Sequence, residues 1–264
     1  MKGSVYLRTL TDLRGTIIAG SLGMACLGAI NVLFFPSLQQ MEGLVGFLEG
    51  LPPVIKAMIG DVSRMVRLEG FLQVKVFDPL PLLLAIFGIA QGAQLLAGEL
   101  EHKHVDLLLA RPVRRWRMVV AKFLAVATGL VVLTLALAAA VVICARVIGA
   151  EVSPPRLVLP ALNGLPLSLV FAAVALLGSS LASRPRRPAF VAAALVIASY
   201  VLETLRLLAP APAFWRRISL FAYQKAGYPV GGAPDPAAIG LLLGLAALLV
   251  LAACLVWERR DLAA

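Results

Sequence analysis

Apolar runs of about 20 residues recur from one end of this chain to the other, the length at which a helix with internally bonded backbone crosses hydrocarbon. Candidate spans cover 15–35, 79–98, 119–145, 162–183, 189–208 and 236–257. Pro36 closes the first, and Asp235 and Glu258 bracket the last. Lys122 lies close enough to the start of the third to snorkel outward. Six helices rising about 1.5 Å per residue use up most of the sequence, which leaves no room for a large soluble catalytic domain. Composition agrees. Hydrophobic residues make up 61% and charged residues 14%, where soluble domains carry about 45–50% and about 25%. The expected fold class is an all-α membrane protein.

Charge placement then sets the topology. The chain holds 24 Lys and Arg against 14 Asp and Glu, a net charge of +10. In a soluble domain this would point to nucleic acid. Here the basic residues fall between apolar segments, so the excess reads as topology and anionic-lipid contact, with no nucleic-acid partner. With both termini cytoplasmic, 14 of the 24 lie inside. The tight turn Arg184-Pro185-Arg186-Arg187 and the cluster Arg111–Arg117 decide the orientation, because positive-inside counting works best in short segments.

The polar residues exclude most enzymes. His102 and His104 have no further histidine or cysteine at metal-ligand spacing, and neither HExxH nor GxSxG occurs. No GxxxxGK[ST] loop is present, so ATP and its Mg ion would be bound by another subunit. Cys26, Cys144 and Cys254 lie singly in apolar runs and read as small buried residues. Within the spans, Asn31, Gln91 and Gln94 are translocation-path candidates, or helix–helix hydrogen-bonding groups turned into the protein. Glu203 and Arg206, near the end of the fifth span, read as a snorkelling or locally paired couple.

Two connections have a character of their own. Residues 37–78 form a long outer loop in which Val54, Ile55, Met58, Ile59, Val62, Met65 and Val66 repeat at helical spacing, an amphipathic helix. Around 209–235, Phe214, Trp215, Phe221, Tyr223 and Tyr228 suit a membrane interface. The segment after the second span differs from both. Glu99, Glu101 and Asp106 are followed by Leu107, Leu108 and Leu109, then by Pro112, Arg114 and Arg115. Glu99 and Lys103, four apart, are spaced to brace one helical turn, and Pro112 favours a break before the next helix. Its mix of charge and leucine is that of a docking surface.

AGELEHKHVDLLLARPVRRWRMVVAKF at 97–123 resembles the signature of ABC-2-type transporter permeases, close to GExExGTxExLLxxPVSRxxxxxxK. Glu99, Glu101, Asp106, Leu108, Leu109, Pro112, Arg115 and Lys122 match by position. Lys103 and His104 stand where the family usually has Gly-Thr, and Arg114 replaces the common Ser. LRTLTDLRGT at 7–16 resembles the family's N-terminal amphipathic elbow, SLFAY at 219–223 the outer segment before the last span, and ERRDL at 258–262 the basic close. The resemblance implies a type V exporter-like membrane domain over 1–264 with an elbow helix at 1–14. It implies the permease subunit of a bacterial ABC exporter in the cytoplasmic membrane, paired with a second copy or related permease and with two ATPase subunits. The 98–117 region would couple to the ATPase through Glu99, Glu101, Asp106, Leu108, Leu109, Pro112 and Arg115. The expected cargo is amphipathic or hydrophobic: a drug, antibiotic, lipid or peptide. The chain itself is not expected to be an enzyme. An ion-coupled transporter or channel and a non-transport scaffold or sensor are the alternatives.

Overall fold

A computed structural model describes residues 5–39, 67–101, 115–208, 219–227 and 235–260. Among them the chain is helical, without strands. Helix α1 runs Val5–Gln39, followed by α2 Leu68–Leu72, a π-helical turn Gln73–Phe77, α3 Leu80–Glu101 and α4 Arg115–Val147. Then come α5 Pro154–Leu162, α6 Leu165–Leu181, α7 Arg186–Leu208, α8 Leu220–Gly227 and α9 Pro236–Arg259. Six stretches among the described residues are long and apolar enough to cross a membrane.

The helices outrun the apolar windows that mark them, because helical hydrogen bonding continues where the side chains turn polar. α1 has no break at Gly15: of the residues read as an elbow, 1–14, those described, 5–14, are the first turns of the same helix. It also passes Pro36, whose missing N–H removes only one backbone bond three residues from the helix end. The second span extends back through the π-helical turn to Leu68, so 68–77 belong to helix and not to a loop. The fourth starts at Pro154 and is divided into α5 and α6 at 163–164. The amphipathic pattern at 54–66 lies outside the described residues.

Helix ends follow from local sequence. α4 stops at Gly149, which takes φ +71°, with Ala150 N–H donating to the Ala145 carbonyl at 2.9 Å and Gly149 N–H to the Arg146 carbonyl at 3.1 Å. That is a Schellman close, which needs the left-handed conformation glycine adopts freely. Asp235 begins α9: its Oδ1 accepts from Ala237 N–H at 3.0 Å, and Pro236 needs no partner in the first turn.

Helix α6 is the axis of the bundle, with α3, α9, α7 and α4 packed around it. Its contact with α3 is a small-residue seam. A Cβ added at Gly88 would stand 3.1 Å from Ala172 Cβ, and one at Gly92 would stand 2.7 Å from the Ala172 carbonyl oxygen. Only glycine lets the two backbones approach this closely. Helix α1 packs chiefly along α4, and its contacts climb both helices together: Ile17 at Gly129, Gly20 at Leu133, Gly28 at Leu137 and Val141. The two are therefore parallel. α1, α7 and α9 keep wide faces of Ile18, Leu22, Phe190, Ile197, Leu248 and Leu251 exposed, as lipid-facing helices do. Cys26 is on such a face, not buried; Cys144 is half-buried and Cys254 buried.

Candidate functional site

Residues 102–114 join α3 to α4, and at this connector end the helix termini are tied by charged groups. The chain emerges from α3 through Glu99 and Glu101, and α4 takes it up at Arg115. Lys122, about two turns further on, does not snorkel: its residue is 5% exposed. Its Nζ donates to the Leu95 carbonyl at 2.7 Å and to Glu99 Oε1. The reason is helical phase. Lys122 falls on the same face of α4 as Val119, Val126 and Leu130, all buried against neighbouring helices. An ammonium placed there needs a counter-charge and a carbonyl, and the last turns of α3 supply both. Arg8 and Asp12 of α1 stand within electrostatic reach of the same ammonium.

The downstream side is tied to the far end of the chain. Arg115 Nη1 donates to the Arg260 carbonyl at 2.9 Å. The Arg260 guanidinium reaches the last turn of α6: Nη1 donates to the carbonyls of Ser180 at 2.8 Å and Ala182 at 2.9 Å, and Nη2 donates to Ser183 Oγ at 3.1 Å. The same guanidinium lies 5.9 Å from the Trp257 ring centroid, within cation–π range. Both borders of 102–114 are therefore anchored, one to α4 and one to α9 and α6. Asp106, Leu108, Leu109 and Pro112, with His102 and His104, lie outside the described residues. Glu101 is exposed, and Arg115 half-buried.

Just above this lattice, Ser179 of α6 enters the backbone of α3. Its Oγ donates to the Ala93 carbonyl at 2.7 Å and accepts from the N–H groups of Ala97 at 2.9 Å and Leu96 at 3.2 Å. One hydroxyl thus serves both partners of a single α3 rung.

The translocation-path candidates do not form a cluster inside the chain. Asn31 is half-buried, and its Nδ2 donates to the Leu27 carbonyl of its own helix at 2.9 Å. Gln91 is half-buried and Gln94 exposed. Gly88, Gly92, Ala93 and Leu96 occupy the buried side of α3, which turns Gln94 outward onto a stripe with Ile86, Ala90 and Glu101. The carboxamide expected inside the protein is therefore on the surface of the single chain.

The opposite end carries a second set of polar links. Glu203 is 2% exposed; its Oε2 accepts from Ser219 Oγ at 2.9 Å, and Lys225 Nζ is 3.7 Å from its Oε1. It is locally paired and does not snorkel; the Arg206 side chain lies outside the described residues. Asn163 Nδ2 donates to the Gln224 carbonyl at 2.7 Å, and Arg156 pairs with Glu69 at 3.3 Å. Phe221, read as an interfacial ring, is buried with its centroid 6.0 Å from Phe171 and 5.5 Å from Tyr200. Ser219 starts α8 by accepting from Ala222 N–H, which drives Phe221 inward. Phe214, Trp215 and Tyr228 lie outside the described residues.

Sequence reasoning missed the roles of Arg260, Ser179 and Ser219. Arg260 was visible only as a basic residue after the last span, and serines inside apolar helices gave no directional signal. Lys122 did carry one, a cation seven residues after Arg115 on an otherwise apolar helical face.

No curated protein matches this chain. A family model described as ABC-2 family transporter protein matches residues 16–262, which span five of the six apolar stretches in full and most of the first. The chain is a multi-pass membrane protein and belongs to the ABC-2 family of transporter proteins.

Proposed function

We propose that this chain is the permease subunit of an ATP-driven exporter for an amphipathic or hydrophobic solute. The family's membrane subunits are not themselves the ATPase and generally work with ATP-binding subunits. In this reading two such subunits bind ATP and Mg at the cytoplasmic face, and 98–117 is the element they push. The observation that supports it best is the double anchorage of 102–114. A connector can transmit force only if its ends are fixed to the helices it must move, and both are: Glu99 through Lys122, Arg115 through Arg260. A solvated turn between two spans has no need of a buried cation. The first turns of α1 brace the same end in the manner of an elbow, with Arg8 and Asp12 facing Lys122 and Tyr6 Oη 3.0 Å from Thr128 Oγ1.

Gln94 supports a second permease. A carboxamide on the outer face of a membrane helix is costly against hydrocarbon, and Gln91 and Gln94 share that side of α3. A second copy, or a related permease, facing this stripe would turn it into the wall of a polar route. The cargo's class comes from the family resemblance, and the lipid-like interior is compatible with it.

The test is copurification followed by transport. Pull-down of the tagged chain is expected to retain an ATP-binding subunit, and inside-out vesicles should take up an amphipathic dye only with hydrolysable ATP. Glu99→Ala, Glu101→Ala and Arg115→Ala should weaken that association or the transport more than membrane insertion. Uptake driven by an ion gradient without any ATPase would replace this reading with a secondary transporter.

A further inference from the structure

Arg260 links three helices at the connector end. Its carbonyl holds Arg115 at the start of α4, while its guanidinium holds the carbonyls of Ser180 and Ala182 and the hydroxyl of Ser183, where α6 turns toward α7. The backbone that carries it is the end of α9. A guanidinium suits this role: it is always charged, planar and rigid, and its several donors can hold two carbonyls and a hydroxyl at once. The two carbonyls belong to the last turn of α6 and the residue after it, where helical backbone leaves acceptors without an intrahelical partner and where a cation is favoured by the helix dipole. Without the Arg260 side chain these acceptors would depend on water, and the backbone carbonyl that holds Arg115 would no longer be tied to the end of α6. Nearby, Cys254 Sγ lies 3.9 Å from the Trp116 carbonyl, a second approach of α9 to the first turn of α4.

We infer that Arg260 is a positioning residue which joins the start of α4, the end of α6 and the end of α9 into one block. Displacement of the connector then reaches the last span and the α6–α7 turn together, and not α3 alone. This rests on the connector being the element pushed by ATP-binding subunits.

The test uses the permease with its copurified ATP-binding subunits in lipid nanodiscs, the three native cysteines replaced by alanine. One spin-label pair, at Arg117→Cys and Arg186→Cys, reads the connector end. A second, at Val147→Cys and Leu205→Cys, reads the opposite end; all four positions are exposed. With Arg260 present, the first pair should give one narrow distance, unchanged between nucleotide-free and vanadate-trapped states, while the second pair shifts on trapping. Arg260→Ala should broaden the first distribution and reduce the fraction of molecules showing the second shift at least about fivefold, the lower range of ordinary allosteric coupling, while ATP hydrolysis stays within about twofold. Arg260→Lys keeps the charge and one or two of the contacts and should restore at least half of the shift. If Arg260→Ala does not accumulate, Arg260→Lys must show a partial loss of the shift with a broadened connector pair. A narrow first distribution and a full second shift in the variants would overturn the inference while leaving the transporter reading intact. No shift in the unmodified complex would overturn the transporter reading, and the inference with it.

Discussion

The pair Glu99–Lys122 is unequal, and the inequality can be measured. The Lys122 side chain is 7% exposed and that of Glu99 27%. Replacing Glu99 by Gln leaves an ammonium sealed against Val119 and Val126 with only the Leu95 carbonyl as a full partner. Breaking a buried pair by removing one charge costs about 3–5 kcal/mol when the other charge stays dry. Lys122→Met leaves instead a carboxylate that water can reach by a small movement at the helix end. The loss is then nearer that of a charge-assisted hydrogen bond, about 1.5–3 kcal/mol. Glu99→Gln should therefore destabilise the chain more than Lys122→Met. The double variant, which strands no ion, should be milder than the sum of the two by about 2 kcal/mol. Unfolding in mixed micelles with increasing SDS, followed by tryptophan fluorescence, gives the three values and the cycle. Lys122→Met costing as much as Glu99→Gln, or an additive double variant, would show that the two groups do not hold each other.

Other expectations follow from packing. Gly92→Ala drives a methyl against the Ala172 carbonyl and should cost about 1–3 kcal/mol by forcing α3 from α6, whereas Gly244→Ala meets open space and should gain about 0.5–1 kcal/mol of helix propensity; thermal melts of the two variants in one detergent compare them directly. Ser179→Ala removes an interhelical bond but leaves Ala97 N–H and the Ala93 carbonyl within one helical rung, so its loss should not exceed about 1.7 kcal/mol in the same melts. Asp235→Ala removes the cap of α9 and should cost about 1 kcal/mol, with fraying at Ala237 and Ala238 visible by hydrogen exchange.

How far the sequence could be read depended on the kind of signal. Hydrophobic length located all six spans, because hydrocarbon thickness acts on each segment separately. Their ends were misjudged wherever a helix continued into polar residues, as α1 does below Gly15 and past Pro36. Direction was harder still. Gln94, Cys26 and Phe221 each point the way their helix phase and neighbours dictate, and a run that is apolar all round carries no phase. Gly88 and Gly92, one turn apart, lie on the face of α3 that meets α6, but glycines in an apolar run were not read as a packing face. Long-range partners left no trace: Arg260 lies 145 residues from Arg115, and nothing in either local sequence names the other.

The hydroxyl of Ser179 gives α3 a joint. Below Gly92, where the helix is clamped to its neighbour, an oxygen from another helix bonds both the carbonyl and the N–H of one rung. Such a rung can stretch or tilt without stranding a backbone donor in hydrocarbon, since the bridging atom follows both partners. A push on the final two turns of α3 would accordingly be taken up as a bend near Ala93–Ala97, sparing the glycine clamp above. The stiff and the compliant parts of this helix would then be separated by a single turn.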